Sequence, residues 1–193
     1  DNTIKLMATL TDSDFHVWDD RYNEGKESDW GYNTFELSRA KETLKKLENN
    51  TNITNDLMKN TLVSKELCVG KRKVSDTTKD GSAEFSIMST DKFMFGLITP
   101  YEYMRASLDE NCKTLDSESC SNYNFLYSRK NNTWTLTAED NKDNDFNVYY
   151  LYKYAFKSSR AALDKPFMPT AYLNSRALFK SGNGTSDDPY VIR

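Results

Sequence analysis

The sequence predicts an α+β fold of mostly antiparallel strands with two principal helices and long loops, and three observations predict it. Short apolar runs with period-two alternation recur along the chain, separated by segments crowded with Asn, Asp, Ser and Thr. Only 37% of the residues are apolar, but twelve Tyr and ten Phe supply large contact areas, a β-rich and loop-rich composition. Two stretches, 33–47 and 100–108, carry helical spacing together with start signals. At 193 residues the chain has the length of a single domain, 1–193, with an ordinary core.

Residues 4–10 and 15–18 read as two short strands closed into an opening hairpin by Thr11-Asp12-Ser13-Asp14, with Ile4, Leu6 and Ala8 on one face. Residues 19–30 are polar and turn-rich. Asn33 and Glu36 then have the N-cap and N3 spacing of a helix whose stripe is Leu37, Ala40, Leu44 and Leu47. Lys41, Glu42, Lys45, Lys46 and Glu48 occupy its other face. After a break at 49–55, a weaker helical turn at 56–59 leads into a strand at 62–69. Residues 70–81 hold the most basic run, Lys71-Arg72-Lys73; acidic and hydroxyl neighbours follow and no aromatic is interleaved, so it reads as a solvated loop.

The clearest strand-to-helix junction spans 92–108. Residues 85–88 and 92–98 are extended, with Phe93, Phe95 and Leu97 on a buried face, and the run stops at Thr99-Pro100. Thr99 suits the N-cap, Pro100 needs no N–H at the first helical position, and Glu102 completes a capping box. Ile98 and Tyr103 have the spacing of a hydrophobic staple. Beyond this helix, Cys112 and Cys120 bracket a polar loop; their spacing favours a local disulfide in an oxidising compartment over two free thiols, and Cys68 has no evident mate.

In the second half, 123–127 and 133–138 read as strands, the latter half-exposed by its Thr alternation. Residues 138–147 form an acidic tip between strands; Asp140, Asp143 and Asp145 miss calcium-loop spacing and no terminal Glu follows. Residues 148–156 read as the longest strand, with both faces covered and with tyrosines suited to a core or to a contact surface. A connecting loop at 158–169 and a strand at 170–173 follow, and the chain closes in a hairpin of 177–180 with 190–192 around a glycine-rich connection that lacks the Lys-Ser/Thr of a phosphate loop.

Net charge is −3 with both signs mixed along the chain, which argues against nucleic acid and against an anionic membrane as partners. No apolar run is long enough for membrane insertion by this segment. The chain opens on Asp1 without an initiator Met, as a processed secreted protein or a trimmed piece would. His16 is the only histidine, so a multi-histidine zinc site is excluded, and no glycine pattern marks a nucleophilic serine. Neither Cys68 with His16 nor the pairs Asp19/Asp20 and Asp109/Glu110 make a recognisable catalytic set. The expectation is no enzyme: no catalytic, cofactor-binding or metal-binding residues, and no cofactor.

At Trp30-Gly31-Tyr32-Asn33, at Gly96-Leu97-Ile98-Thr99-Pro100-Tyr101-Glu102-Tyr103, at Trp134-Thr135-Leu136-Thr137 and at Gly182-Asn183-Gly184-Thr185-Ser186-Asp187-Asp188-Pro189-Tyr190-Val191-Ile192, the chain resembles an uncharacterised family of C-terminal domains. These occur in exported proteins of Firmicutes and related gut bacteria, some attached to pilin-like helices. The chain departs from that pattern at Pro169-Thr170-Ala171-Tyr172-Leu173, where an Arg-Pro-Val-type strand is common, and near Phe85, where a second cysteine would mate with Cys68. A more distant similarity is to C-type-lectin-like folds. The resemblance implies an extracellular or cell-surface module; aromatic-rich strands, polar loops and the missing catalytic constellations favour adhesion, binding a protein or a glycan through long loops and exposed aromatics. The alternatives are a structural pilin-like or cell-wall-associated subunit that assembles with other surface subunits, and a hydrolase of cell-surface polymers.

Overall fold

Extended runs of two to six residues pair in a computed structural model of the protein, some across a nearby turn and others with partners far along the chain. It describes residues 4–7, 15–21, 31–50, 56–124, 126, 132–143, 145–153, 155–175, 177, 179–183, 185, 187–188 and 191–192. In order these form β1 (Ile4–Met7), β2 (Phe15–Val17), a 3-10 turn (Phe35–Leu37), α1 (Arg39–Asn49), α2 (Asp56–Thr61), β3 (Leu62–Val63), β4 (Lys65–Cys68), α3 (Ser82–Phe85), β5 (Met88–Phe93), β6 (Phe95–Gly96) and α4 (Pro100–Ala106). A second 3-10 turn (Glu118–Ser121), β7 (Thr133–Ala138), β8 (Asn147–Tyr152), β9 (Ala155–Arg160), β10 (Asp164–Pro166), β11 (Thr170–Leu173), β12 (Phe179–Ser181) and β13 (Val191–Ile192) follow. All pairings between these strands are antiparallel, and the fold is α+β. No helix among the described residues is long and apolar enough to cross a membrane.

β7, β8 and β9 form a sheet that separates two cores. Alternation along β8 divides its side chains: Val148 and Tyr150 meet the first core, with Trp18, Phe35, Leu44, Phe93 and Trp134. Tyr149 and Leu151 enter the second, with Ile98, Tyr103, Met104, Leu126 and the two bonded cysteines. Both faces of 148–151 are thus covered, but the expected single strand over 148–156 is a hairpin, with Tyr152 opposite Ala155. Lys153 makes the turn at φ +54°, a left-handed conformation that a lysine does not advertise in sequence; Tyr154 lies outside the described residues. The expected loop at 158–169 is also displaced, since β9 runs on to Arg160 and β10 begins at Asp164.

The opening hairpin does not form. β1 pairs with β11 from Ile4↔Leu173 to Met7↔Thr170, and β2 pairs with β10. Burial of Trp18 decides this: its indole Nε1 donates to the Thr135 carbonyl at 3.2 Å and its backbone N–H to that of Ala161 at 2.8 Å. These bonds draw β2 toward the second half of the chain. The turn residues 11–14 lie outside the described residues, as do Ala8 and most of 19–30.

The first principal helix begins at Arg39, not at Asn33. Ser38 is the cap, its Oγ accepting from the Lys41 N–H at 3.1 Å, and 35–37 form a separate 3-10 turn. Asn33 is buried elsewhere: its Nδ2 donates at 2.9 Å to the carbonyls of Glu139 and of Asn147, satisfying backbone at the end of the β7–β8 pair. Glu36 binds Lys41 and accepts from the Thr90 N–H and hydroxyl. Burial pushes the Glu36 carboxyl up, but those three hydrogen bonds outweigh it and hold its pKa below the ordinary value. Ala40 and Leu44 are buried as the stripe requires, whereas Leu37 is exposed.

The run 62–69 is broken into β3 on β11 and β4 on β5, and 92–98 is broken at Met94. The Met94 N–H leaves the ladder to donate to Glu48 of α1 at 2.6 Å, and the chain passes from β4 to β11. A Cβ at Gly96 would lie 2.9 Å from Leu67 Cδ2, so any other residue there would push that side chain aside. Phe93, Phe95, Leu97 and Ile98 are all buried. Residues 82–85, in part expected to be extended, are instead the one-turn helix α3.

At α4 the capping box forms as its residues dictate: Thr99 Oγ1 accepts from the Glu102 N–H at 3.2 Å, and Glu102 Oε2 from the Thr99 N–H at 2.9 Å. The helix ends at Ala106, two residues early, and Ile98 and Tyr103 enter the same core. Thr99→Ala is expected to lower the unfolding free energy by about 1 kcal/mol in urea titrations, with Thr99→Ser near neutral.

Two further corrections concern polar side chains. Arg72, expected in a solvated loop, is 0% exposed. Its backbone pairs with the end of β7, and its guanidinium forks onto Glu84 at 3.0 and 2.7 Å. It also donates to the carbonyls of Asp76, Thr78 and Asp80, gathering the loop around one charge. β7, expected half-exposed, has all 6 residues buried. Its threonines tolerate this through bonds such as Thr133 Oγ1 to the Pro166 carbonyl and Thr135 Oγ1 to that of Tyr149, each 2.8 Å. The strand at 170–173 and the closing hairpin, β12 on β13, form where expected.

Candidate functional site

After α4 the chain enters a loop that is held from several sides. Cys112 and Cys120 form a disulfide with their Cα atoms 4.4 Å apart, both buried in the second core. Ser107 bridges Asn124 in antiparallel fashion, and the Ser107 hydroxyl donates to the Asn122 carbonyl at 2.9 Å. Asn124 Nδ2 donates to the carbonyls of Tyr103 and Cys120, at 2.9 and 2.7 Å. Asn122 Nδ2 donates to Asp109 at 2.7 Å, and this bond, with the Asn111 N–H, holds the Asp109 carboxyl below its ordinary pKa. A short polar loop, which would fluctuate alone, is pinned to α4.

At its two ends the loop exposes two large apolar side chains. Leu108 is 80% exposed and Tyr123 is 81% exposed. The Ser107–Asn124 bridge places them opposite each other, as the next residue on either side. Tyr123 is also held at φ +50°, which costs a non-glycine residue about 1 kcal/mol. Folding gains nothing from either exposure.

On the other side of α4 lies a cleft of about 310 Å³. Leu6 and Met7 of β1, Ile98, Ala106 and Leu126 provide apolar walls, and Thr170 of β11 lines it as well. Lys5 and Arg105 bring positive charge, and Lys5 forms an ion pair with Glu102. Nearby, burial pushes the Tyr172 phenol up to about 12.

The residues singled out from sequence scatter over the molecule. His16 pairs with Lys165 in β2–β10, its ring 5.2 Å from that of Phe167, and its carbonyl accepts from Trp134 Nε1 at 3.0 Å. Cys68 is a half-buried free thiol at the end of β4, its pKa raised by burial and then by Glu102. Asp19 is buried and accepts from Arg21 Nε at 2.9 Å and the Tyr32 N–H at 3.0 Å, a structural use of a carboxylate. The acidic tip does join β7 to β8, and Glu139 there accepts from Asn141 and Asn147. No group of three or more His, Cys, Asp and Glu among the described residues could hold a metal ion.

Two tyrosines of β8 have lysines beside their rings. Lys165 Nζ lies 4.1 Å from the Tyr150 ring centre, and Lys157 and Lys153 lie 5.0 and 5.4 Å from that of Tyr152. Sequence reading missed Leu108, Tyr123 and the cleft. An exposed Leu or Tyr has no local signature, and the cleft walls come from four separated segments.

No family model matches this chain, and no curated protein or solved structure is significantly similar to it.

Proposed function

We propose that this chain is a non-catalytic extracellular binding module, displayed at a bacterial cell surface for adhesion, and that it grips a protein partner through Leu108 and Tyr123. The observation that carries the reading is the pair itself: two large apolar side chains, 80% and 81% exposed, on a disulfide-stapled and hydrogen-bonded loop. A rigid aromatic anchor loses little conformational entropy on binding, and tyrosine is enriched among the residues that dominate interface energies. A protein is favoured over a glycan because one of the two anchors is aliphatic, while the β8 tyrosines Tyr150 and Tyr152 have lysines over their rings. The disulfide fits an oxidising compartment, as an exported domain requires.

The test screens the chain and a Leu108→Ser/Tyr123→Ser double variant against arrays of extracellular proteins and of glycans, with sedimentation to detect self-association. The expected result is a specific protein ligand whose Kd rises about thirtyfold or more in the double variant, with the urea midpoint unchanged. Binding that is indifferent to the pair, or retention by glycans alone, would overturn it. Tyr123→Gly separates strain from contact: it is expected to raise the unfolding free energy by about 0.5–1 kcal/mol while weakening the same interaction.

A further inference from the structure

We infer that the cleft lined by β1, α4 and Thr170 is a second, independent binding site, for an apolar chain that ends in a carboxylate. The apolar part follows from the walls: Leu6, Met7, Ile98, Ala106 and Leu126 leave about 310 Å³, the lower end of the range for small-ligand sites. That is room for roughly ten non-hydrogen atoms at about 30 Å³ each, the share of one water molecule in the liquid.

The charge follows from what its neighbours have already committed. Glu102 is fully used: Oε2 closes the capping box on Thr99, and Oε1 holds Lys5. Lys5 is thereby neutralised and also donates to the Leu97 carbonyl at 3.4 Å. Arg105 remains. It is exposed at the edge of the cleft, and no carboxylate among the described residues forms an ion pair with it. One uncompensated guanidinium beside an apolar slot matches a monoanion, and its planar fork matches the two oxygens of a carboxylate.

A second observation lies within the same lining. Thr170 is 2% exposed, yet its hydroxyl has no hydrogen-bond partner. That oxygen has no accessible surface of its own and sits beside Gly96, so the cost of about 1–3 kcal/mol is carried by the fold. Folding does not use Arg105 in an ion pair; a ligand of this chemistry does.

Two sources share that chemistry, a free aliphatic carboxylate and the C-terminus of an apolar peptide. The test titrates the full chain, by calorimetry and by methyl NMR, with decanoate, with decanol, and with a leucine-rich tripeptide carrying a free or an amidated C-terminus. Decanoate or the free-acid peptide is expected to bind about tenfold or more tightly than its uncharged counterpart. Shifts should fall on the methyls of Leu6, Met7 and Leu126. Arg105→Gln should erase the preference for the acid, and the Leu108→Ser/Tyr123→Ser variant should bind unchanged. Whichever acid binds identifies the source. Equal binding of acid and uncharged probe, a preference that survives Arg105→Gln, or no shifts at those methyls would overturn the inference without touching the proposed protein contact.

Discussion

Arg72→Met is expected to lower the unfolding free energy by about 3–5 kcal/mol, the largest loss from any single exposed-looking position in the sequence. Arg72 and Glu84 are both 0% exposed, and they meet through two bonds at 3.0 and 2.7 Å. Removing the guanidinium strands a buried carboxylate whose remaining partner is the Tyr101 N–H at 3.2 Å. It also strips the side-chain donors from the carbonyls of Asp76, Thr78 and Asp80. Arg72→Lys should recover less than half, because an ammonium cannot fork onto a carboxylate and reach three carbonyls at once. Arg72→Met with Glu84→Leu should recover much of the loss, since the stranded charge is then gone. Urea unfolding of the three variants checks the order. A single-variant loss below about 1 kcal/mol would show that the pair is not closed off from water.

Cys112→Ala with Cys120→Ala is expected to cost about 2.5 kcal/mol, the chain-entropy value for releasing a loop of this size. The cysteines are 8 residues apart, so the staple is local, and both sit in the second core with Tyr103 and Met104. The loss should therefore appear in global unfolding, and binding through Leu108 and Tyr123 should weaken because the loop loses its preorganisation. Alkylation followed by intact mass checks the bond directly. In denaturant, one thiol should label before reduction and three after it. The one is Cys68, whose raised pKa should make its labelling slow in the native state. Three labels without reductant would remove the physical support for an oxidising compartment.

Legibility followed the range of the interactions concerned. The α4 start could be read because its cap is made by Thr99 and Glu102, three residues apart. The other helix start could not: Asn33 and Ser38 both suit a cap, and buried carbonyls at Glu139 and Asn147 claimed Asn33. Alternation at 133–138 identified a strand but not its burial, because threonine satisfies a carbonyl in a core as well as it meets water. The turn at Lys153 was hidden because a left-handed lysine carries none of the Gly or Asn signals of a tight hairpin.

By itself the sequence determined the α+β class, the α4 cap, the strand at 170–173, the closing hairpin and the spacing of the stapled loop, since each rests on residues within about ten positions of one another. Tertiary structure alone decided that β1 pairs with β11, 163 or more residues away along the chain from Met7 to Thr170, that Arg72 is buried, and that the walls of the cleft converge. It also decided that Leu108 and Tyr123 stand out on a pinned loop. The reason is physical: a cap or a turn is chosen by its neighbours' hydrogen bonds, whereas burial and exposure are chosen by whichever distant surfaces compete for the same side chain.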